Sequence, residues 1–239
     1  EAGKGSPVGL LPGETVIRVN HEFSYDMLDP TTNINRKHLL LLDRKKSGDI
    51  AANSVYLGGA VTPIADYQKS NTDTKFGYLM RHPTANNQRT KTVSEALVHS
   101  AQLSLTGNIG DWVTAHFEAL YDPEQSFGAG TNTALNRNQI QMRKAYVLFG
   151  NLNESPFYAS IGKMATAFGL TDTVSPFTAS TVWHAFGGLA YGLSAGYSRN
   201  GLNVTAMAVQ GGSQFRSHNT PVDGTNVPSK LNNYVLDAN

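Results

Sequence analysis

His116 and Glu118 are the residues whose types and spacing first suggest chemistry. They lie two positions apart in DWVTAHFEALYDP, residues 111–123, and side chains two apart on a β-strand point to the same side. An imidazole beside a carboxylate could hold a metal ion, but a metal site needs at least three converging ligands. The neighbouring strand offers no third ligand. We therefore interpret the pair as part of a hydrogen-bonded polar surface and predict no metal site.

Other signatures of catalysis or cofactor binding are weak. The sequence contains no GxGxxG, P-loop or HExxH pattern. The carboxylates of Asp66, Asp73, Glu124 and Asp172 are scattered and do not pair at a spacing suited to acid–base catalysis. We predict no catalytic residue, no enzymatic activity and no cofactor.

The segment around His116 and Glu118 has the alternating pattern of a β-strand with one apolar and one polar face. The apolar face carries Val113, Ala115, Phe117, Ala119 and Tyr121. Alternation alone does not say which face is inside. In a soluble sandwich the apolar face packs on a core, whereas in a membrane barrel it meets lipid and the polar face lines a lumen.

The preceding segment LVHSAQLSLT, residues 97–106, alternates in the same way. Leu97, Ala101, Leu103 and Leu105 share its apolar face, and Ser100 and Gln102 lie on its polar face. If Leu105 pairs with Val113, apolar side chains meet across the two strands. That register places Gln102 opposite His116 and Ser100 opposite Glu118.

Further segments are predicted to be strands. They are TVIRVNHEF (15–23), HLLLL (38–42), SVYLGGAVTPIADY (54–67), QIQMRKAYVLF (139–149), FYASIGKM (157–164), LAYGLSAGYSRNGLNVTAMAVQ (189–210, a hairpin) and the final LNNYVLDAN (231–239). Pro63 predicts an edge, a bulge or a bend. Asn200-Gly201 predicts a two-residue type I′ turn that pairs Tyr197 with Val204. In residues 139–149, Ile140, Met142, Tyr146 and Leu148 share one face and Gln141 and Arg143 the other.

The connections between these strands alternate in length. Turns at 107–111, 150–156 and 200–201 are short, and those at 122–138, 165–188 and 211–230 are long. An up-and-down meander then gathers the short turns at one end and the long loops at the other, as in outer-membrane barrels. Tyrosines near the strand ends would form the aromatic belt of a membrane interface. These tyrosines are Tyr121, Tyr146, Tyr191 and Tyr197.

Composition narrows the functional classes. The net charge of +1, without a basic stripe, gives no indication of a nucleic-acid partner. The chain has no cysteine, which excludes disulfides and thiolate metal sites. No run approaches the roughly 18 apolar residues of a transmembrane helix. The start at Glu1 and the strand-like end lead us to expect a mature or partial chain.

Several ordered segments resemble one known family. They are LLLLDRKKSGD, SVYLGGAVTPIADYQKSNT, KFGYLMRHPT, SEALVHSAQLSLTGNIGDWVTAHFEALY, MRKAYVLFGNLNESPFYASIGKMATAFG and VSPFTASTVWHAFGG. Over most of residues 38–239 the chain resembles the LbtU-type siderophore porins, outer-membrane β-barrels of Gram-negative bacteria. The resemblance implies an outer-membrane location, lipid as a partner, and passage of ferric siderophores or other small solutes. Family members usually have a periplasmic N-terminal segment and more strands than this sequence supplies.

We therefore predict an all-β, antiparallel up-and-down transmembrane β-barrel that is incomplete at its C-terminal end. Residues 1–37 are a lead-in with one possible strand, and residues 38–239 are the barrel region. The predicted pore-lining residues are Ser100, Gln102, His116, Glu118, Gln141 and Arg143. The predicted lipid-facing residues are Leu103, Leu105, Val113, Phe117, Tyr197 and Val204.

Some alternatives stay open. Arg143 could attract an anionic solute or pair with Glu118. The chain could be a soluble β-rich ligand-binding module, in which Val113, Phe117 and Tyr197 would lie in a water-excluded core. It could also be a structural outer-membrane barrel that transports nothing. The solute, the pore size and the oligomeric state are not encoded in any pattern that we find.

Overall fold

A computed structural model of the protein describes residues 16–28, 36–73, 91–122, 140–167, 188–210 and 231–239. Its elements are β1 Val16–Arg18, α1 His21–Met27, α2 Lys37–Ser47, β2 Ser54–Lys69, β3 Thr92–Ile109, β4 Val113–Tyr121, β5 Ile140–Gly150, β6 Phe157–Ala165, β7 Leu189–Arg199, β8 Leu202–Gln210 and β9 Leu231–Ala238. The nine strands form one sheet in chain order. β1 runs parallel to β2, and all other neighbours are antiparallel.

This topology confirms the all-β prediction and the up-and-down meander. Within the described residues the sheet is open, with β1 and β9 at its two edges. The short connections after β3, β5 and β7 lie at one end of the sheet, which we call the short-turn end. β2, β4, β6 and β8 end at the opposite end of the sheet, and most of the residues that connect each of them to the next strand are outside the described ranges.

The hairpin of β7 and β8 forms as predicted. Asn200 and Gly201 have φ values of 55° and 82°, as a type I′ turn requires. Tyr197 pairs with Val204 and Ser198 pairs with Asn203. The predicted irregularity in β2 is also confirmed, because the register between β2 and β3 shifts between Thr62 and Pro63. This shift turns Leu97 away from the face that carries Leu103.

The predicted register of β3 and β4 is wrong by four residues. Leu105 pairs with Phe117, and Ile109, not Leu105, pairs with Val113. The chain turns only at residues 110–112, where Gly110 has a φ of 56°, so that β3 continues to Ile109. A shift by an even number of residues keeps every side chain on its predicted face. The predicted partners of His116 and Glu118 are nevertheless wrong.

The prediction of a strand at residues 38–42 is wrong, because these residues lie in helix α2. A run of four leucines fits a buried strand and a helix equally well. The helix is favoured by its C-terminal signals: Gly48 adopts the left-handed conformation (φ 79°), and basic side chains occupy the last turn. These side chains belong to Arg44, Lys45 and Lys46.

The prediction of a strand over residues 15–23 is correct only for β1. Asn20 caps the N-terminus of helix α1, and its side chain accepts a hydrogen bond of 3.1 Å from the Phe23 N–H. α2 begins at Lys37, beside the predicted boundary between the lead-in and the barrel region. In the described part of the chain, no helix is long and apolar enough to cross a membrane.

The two faces of the sheet differ in polarity and in what covers them. We call one the covered face, because α1 and α2 lie on it; Ser104 and Glu118 point to it. The other is the open face, to which Leu105 and Phe117 point, and no element of the described residues packs on it. The open face carries all six residues that were predicted to meet lipid. These are Leu103, Leu105, Val113, Phe117, Tyr197 and Val204.

The buried apolar core lies between the helices and the covered face. The helical region contributes Phe23, Met27, Leu41, Leu42 and Ile50. They pack with side chains of the sheet, and these are Tyr56, Tyr146, Leu148, Tyr158, Met164, Met207 and Val209. The apolar residues of the helices thus cover apolar patches on a face that is otherwise polar.

Tyr158 on β6 packs directly over Gly196 on β7, its cross-strand partner. A Cβ atom at residue 196 would lie 2.1 Å from Cζ of the Tyr158 ring. Glycine is therefore required here by the close approach of the ring. The ring is held in place from its other end, because its hydroxyl bonds Asn203 at 3.0 Å and Thr205 at 2.7 Å.

We expect Gly196→Ala to lower the free energy of unfolding by about 1–3 kcal/mol, because the added methyl overpacks the site. Gly107→Ala is the matched control, since its nearest neighbour would be Val55 Cγ2 at 3.9 Å. The control should change stability by about 0.5 kcal/mol or less. Urea unfolding curves measure both. Equal stability of the two variants would contradict this packing.

Candidate functional site

The covered face carries a cluster of buried charges, which we call the charged cluster: His116, Glu118, Arg143 and Lys144. The Glu118 side chain is only 1% exposed, and both of its oxygens meet cations. Arg143 Nε lies 3.2 Å from Oε1, and Lys144 Nζ lies 3.5 Å from Oε2. His116 Nε2 is 3.9 Å from Oε2. Glu118 therefore forms ion pairs with two neighbouring cations in a site that water reaches poorly.

A β-bulge explains why Arg143 and Lys144 both face Glu118. Glu118 pairs with Lys144, and the next residue on β4, Ala119, pairs with Met142. Arg143 is the extra residue of β5, and an extra residue lets two consecutive side chains turn to one side. The sequence pattern without the bulge would place them on opposite faces.

The same bulge overturns a prediction for the rest of β5. Beyond it, Tyr146 and Leu148 lie on the covered face, whereas Met142 lies on the open face. Tyr146 is 5% exposed. The prediction that it belongs to an outward aromatic belt is therefore wrong. The Tyr146 ring lies 5.3 Å from the His116 ring.

Hydrogen bonds to polar side chains of β3 fix the orientation of the cluster. His116 Nδ1 lies 2.9 Å from Thr106 Oγ1, its cross-strand partner. Closer to the short-turn end, Thr114 donates to Asn108 Oδ1 at 2.9 Å, and Asn108 donates to the Ala51 carbonyl at 3.0 Å. The imidazole is thereby held between a hydroxyl on one side and the carboxylate of Glu118 on the other.

Helix α2 adds His38 to the site. The His38 ring lies 4.5 Å from the Tyr146 ring in an edge-on arrangement, and its Nδ1 is 3.5 Å from Ser160 Oγ. Burial, together with the electrostatic effect of His116 and Lys144, lowers the pKa of His38 to about 3. His38 is therefore neutral at pH 7.

Neutral hydroxyls continue the polar wall beyond His38. Ser160 Oγ and Ser194 Oγ are 2.6 Å apart, and the Tyr158 hydroxyl joins Asn203 and Thr205. The wall thus has a charged half on β4 and β5 and a neutral half on β6, β7 and β8. Such a surface can bind polar solutes through charges at one side and hydrogen bonds at the other.

The structure brings some of the predicted pore-lining residues together and separates others. His116, Glu118 and Arg143 form the charged cluster, and Arg143 pairs with Glu118, which was one of its two predicted roles. Gln141 lies farther along the same face, opposite Leu120. Ser100 and Gln102 are on this face but do not lie opposite Glu118 and His116. The observed partners are Ser104 and Thr106.

Lys144 and His38 belong to the site but were not predicted as site residues. Lys144 interrupts the apolar row of β5, and a charge in such a row is a signal of a bulge. His38 was overlooked because its segment was predicted to be a strand. Among the described residues there is no group of three or more histidine, aspartate or glutamate side chains placed to hold a metal ion.

The segment GLSAG at residues 192–196 matches the GxSxG motif of hydrolases. That motif needs a sharp strand-to-helix turn that exposes the serine. Here it lies in the middle of β7, and Ser194 is buried against Ser160. The pattern therefore has no nucleophile-elbow geometry.

Comparison with known proteins identifies no relative of this chain. The chain matches no protein-family model, no curated protein and no solved structure.

We expect Glu118→Gln to destabilise the fold by about 3 kcal/mol, because Arg143 and Lys144 would stay buried together without the carboxylate between them. Asp49→Asn is a suitable control, since Asp49 is exposed and bonds Arg44 at 2.9 Å near the surface. Its loss should cost about 1 kcal/mol or less. Chemical denaturation of both variants provides the comparison, and equal losses would show that the cluster does not depend on Glu118.

His38 predicts a pH dependence of stability. Below pH 6.5 the unfolded chain binds a proton at this histidine, while the folded chain does so only near pH 3. The stability that neutral His38 contributes is therefore complete above pH 6.5 and falls as the pH is lowered. The difference in unfolding free energy between wild type and His38→Gln should shrink by about 1.4 kcal/mol per pH unit below 6.5. A difference that stays constant from pH 8 to pH 5 would contradict this.

Proposed function

We propose that this chain forms the wall of an outer-membrane β-barrel that passes small polar solutes, ferric siderophores among them. The observation that carries the proposal is the polarity of the two faces. The helices and the charged cluster lie on one face, and the apolar side chains of the other face have no cover in the described residues. A barrel in a membrane has this arrangement, with apolar side chains toward lipid and polar side chains toward the lumen.

The exposure of the open face supports the proposal. Leu103 is 47% exposed, and Leu105 and Phe117 are each 38% exposed, although all three sit in the middle of paired strands. Monomeric soluble proteins seldom expose contiguous apolar patches larger than a few hundred Å². The soluble alternative requires a cover over Val113, Phe117 and Tyr197, and the described residues supply none.

Strand length is also consistent with a membrane span. β4, β6 and β8 have 9 residues each, and β5 and β7 have 11. A tilted transmembrane strand needs about 9–11 residues to cross the hydrocarbon layer. Five consecutive strands therefore have the length that a bilayer requires.

Exposed aromatic side chains lie near both ends of the open face. Trp112, Phe149 and Phe157 are exposed at the short-turn end, and Tyr67, Tyr191 and Tyr234 are exposed toward the long loops. Barrels carry such aromatic girdles at both membrane interfaces, with an apolar band of about 25 Å between them. In the proposed orientation the short-turn end faces the periplasm.

The covered face would line the lumen. Ser100, Gln102, His116, Glu118, Gln141 and Arg143 would form part of its wall, and selectivity would come from the diameter and this lining. Ferric siderophores enter the proposal through the resemblance of the ordered segments to siderophore porins. The charged and neutral halves of the wall suit a polar solute of that kind.

Reconstitution into lipid bilayers tests the proposal. Because the chain has no cysteine, single cysteines can carry a fluorophore at chosen sites. We expect a lipid-soluble quencher to act at Leu103→Cys and Phe117→Cys but not at the covered-face positions Ser104→Cys and Thr114→Cys. We also expect channel openings in planar bilayers.

Two results would count against the proposal. A folded protein that stays soluble without detergent, with all four labels equally shielded from the quencher, would favour the soluble module. Insertion with the expected quenching but no openings in wild type or in any variant would favour a structural barrel without transport.

A further inference from the structure

Helices α1 and α2 together cross the covered face from β2 to β9. α1 contacts β2, where the Phe23 ring lies 5.6 Å from the Tyr56 ring and the Gly59 N–H donates to Ser24 Oγ at 3.3 Å. α2 contacts the opposite part of the sheet. Its residue His38 lies against β5 and β6, and Arg36, just before the helix, donates to Asn239 Oδ1 at 3.1 Å.

The two helices are also bound to each other. Lys37 at the start of α2 donates to the Leu28 carbonyl at 2.9 Å and to the Asp26 carbonyl. Arg44, one turn from the end of α2, forms a salt bridge with the Asp26 side chain. These contacts join α1 and α2 into one helical unit, which covers residues 21–28 and 36–47.

The helical unit lies toward the short-turn end. The Lys45 ammonium points to the Gly150 carbonyl, the last residue of β5, at 3.4 Å. Tyr56 and Asn239 are also near this end, since Tyr56 pairs with Thr106 and Asn239 bonds the backbone of Asn203. The connection from α2 to β2, residues 48–53, contains two left-handed residues, Gly48 (φ 79°) and Asn53 (φ 53°).

The attachment of the unit to the sheet depends on side chains and on one short strand. Leu41 and Leu42 are 0% and 1% exposed, so the apolar contact is complete while the unit is seated. β1 supplies a ladder of three residues beside β2. The polar wall beneath α2, with its charges and hydroxyls, is suited to contact with water when the helix is absent.

Building on the barrel function proposed above, we propose that the α1–α2 unit is a plug that closes the short-turn end of the lumen and must leave its seat for a solute to pass. An α-helix with its side chains is about 10 Å wide. Two helices side by side therefore occupy about 20 Å of the width of the covered face. The connection at residues 48–53 provides the hinge.

A disulfide between α1 and β2 would lock the plug. A Cβ atom at residue 58 would lie 3.1 Å from the Ser24 Cβ, so that an outward movement of α1 by a few tenths of an ångström brings the two to the 3.5–4.5 Å typical of a disulfide. Ser24→Cys/Gly58→Cys can therefore be oxidised and reduced in the same sample, and no native cysteine interferes. The neighbouring Ser104 hydroxyl is the end of a small side chain and can rotate away.

The matched control is a disulfide that ties two strands without involving the helices. Ala159 on β6 and Ala195 on β7 are cross-strand partners on the open face. Counted from the hydrogen-bonded pair that Ser198 forms across β6 and β7, this pair is a non-hydrogen-bonded one. Such non-hydrogen-bonded pairs have Cα atoms about 4.5 Å apart, which suits a disulfide. A third variant, Leu41→Ser/Leu42→Ser, weakens the seat of the plug without changing the sheet.

Single-channel recording in planar bilayers gives the readout. Oxidised Ser24→Cys/Gly58→Cys should open at least tenfold less often than its reduced form, and Leu41→Ser/Leu42→Ser should open several-fold more often than wild type. The control disulfide should leave opening unchanged. Equal opening of the oxidised and reduced forms of Ser24→Cys/Gly58→Cys would overturn the plug proposal without contradicting the channel function. If the protein inserts but no variant opens, the channel function fails and the plug fails with it.

Discussion

The structure depends on one constraint: side chains that meet across paired strands must point to the same face of the sheet. Every pairing from β2 to β9 obeys it, so that a row of apolar residues on one strand extends into the next. Where apolar and polar side chains would otherwise meet on one face, a bulge shifts the register by one residue, as between Glu118 and Ala119. The open and covered faces result from this repeated matching.

Buried charge is tolerated on the covered face because it is concentrated around one carboxylate. Arg143 and Lys144 would be costly to bury separately, and the bulge brings both to Glu118. His38 stays neutral beside them, so α2 can lie close to the cluster without adding charge. The seat of the helices is thus partly apolar and partly polar, with the cations paired to a carboxylate within the sheet.

The parts of the fold that were predictable from sequence have local causes. The β7–β8 hairpin was correct to the residue because Asn200-Gly201 fixes the turn and the turn fixes the register. The faces of β3 and β4 were also correct, but their register was not, since the turn at Gly110 lies three residues beyond the first turn-forming residues. α2 was missed because four leucines have no period, and its only signals are Gly48 and the basic last turn.

The site was less predictable than the fold. His116 and Glu118 were recognised from their spacing, but their partners depend on pairings between distant segments. Lys144 reaches Glu118 only because of the bulge, and a bulge cannot be placed by alternation alone. The contact of His38 with Tyr146 joins residues more than one hundred positions apart, and no local pattern encodes it.

The direction of the strands has a consequence for closure of the proposed barrel. Without β1, the sheet has eight strands, from β2 to β9. β2 and β9 lie at the two ends of this set and run in opposite directions. They could pair directly, but a barrel of eight strands has room inside only for side chains or one small ligand. A wall that encloses α1 and α2 therefore needs additional strands between β9 and β2. Antiparallel pairing at both joints requires their number to be even.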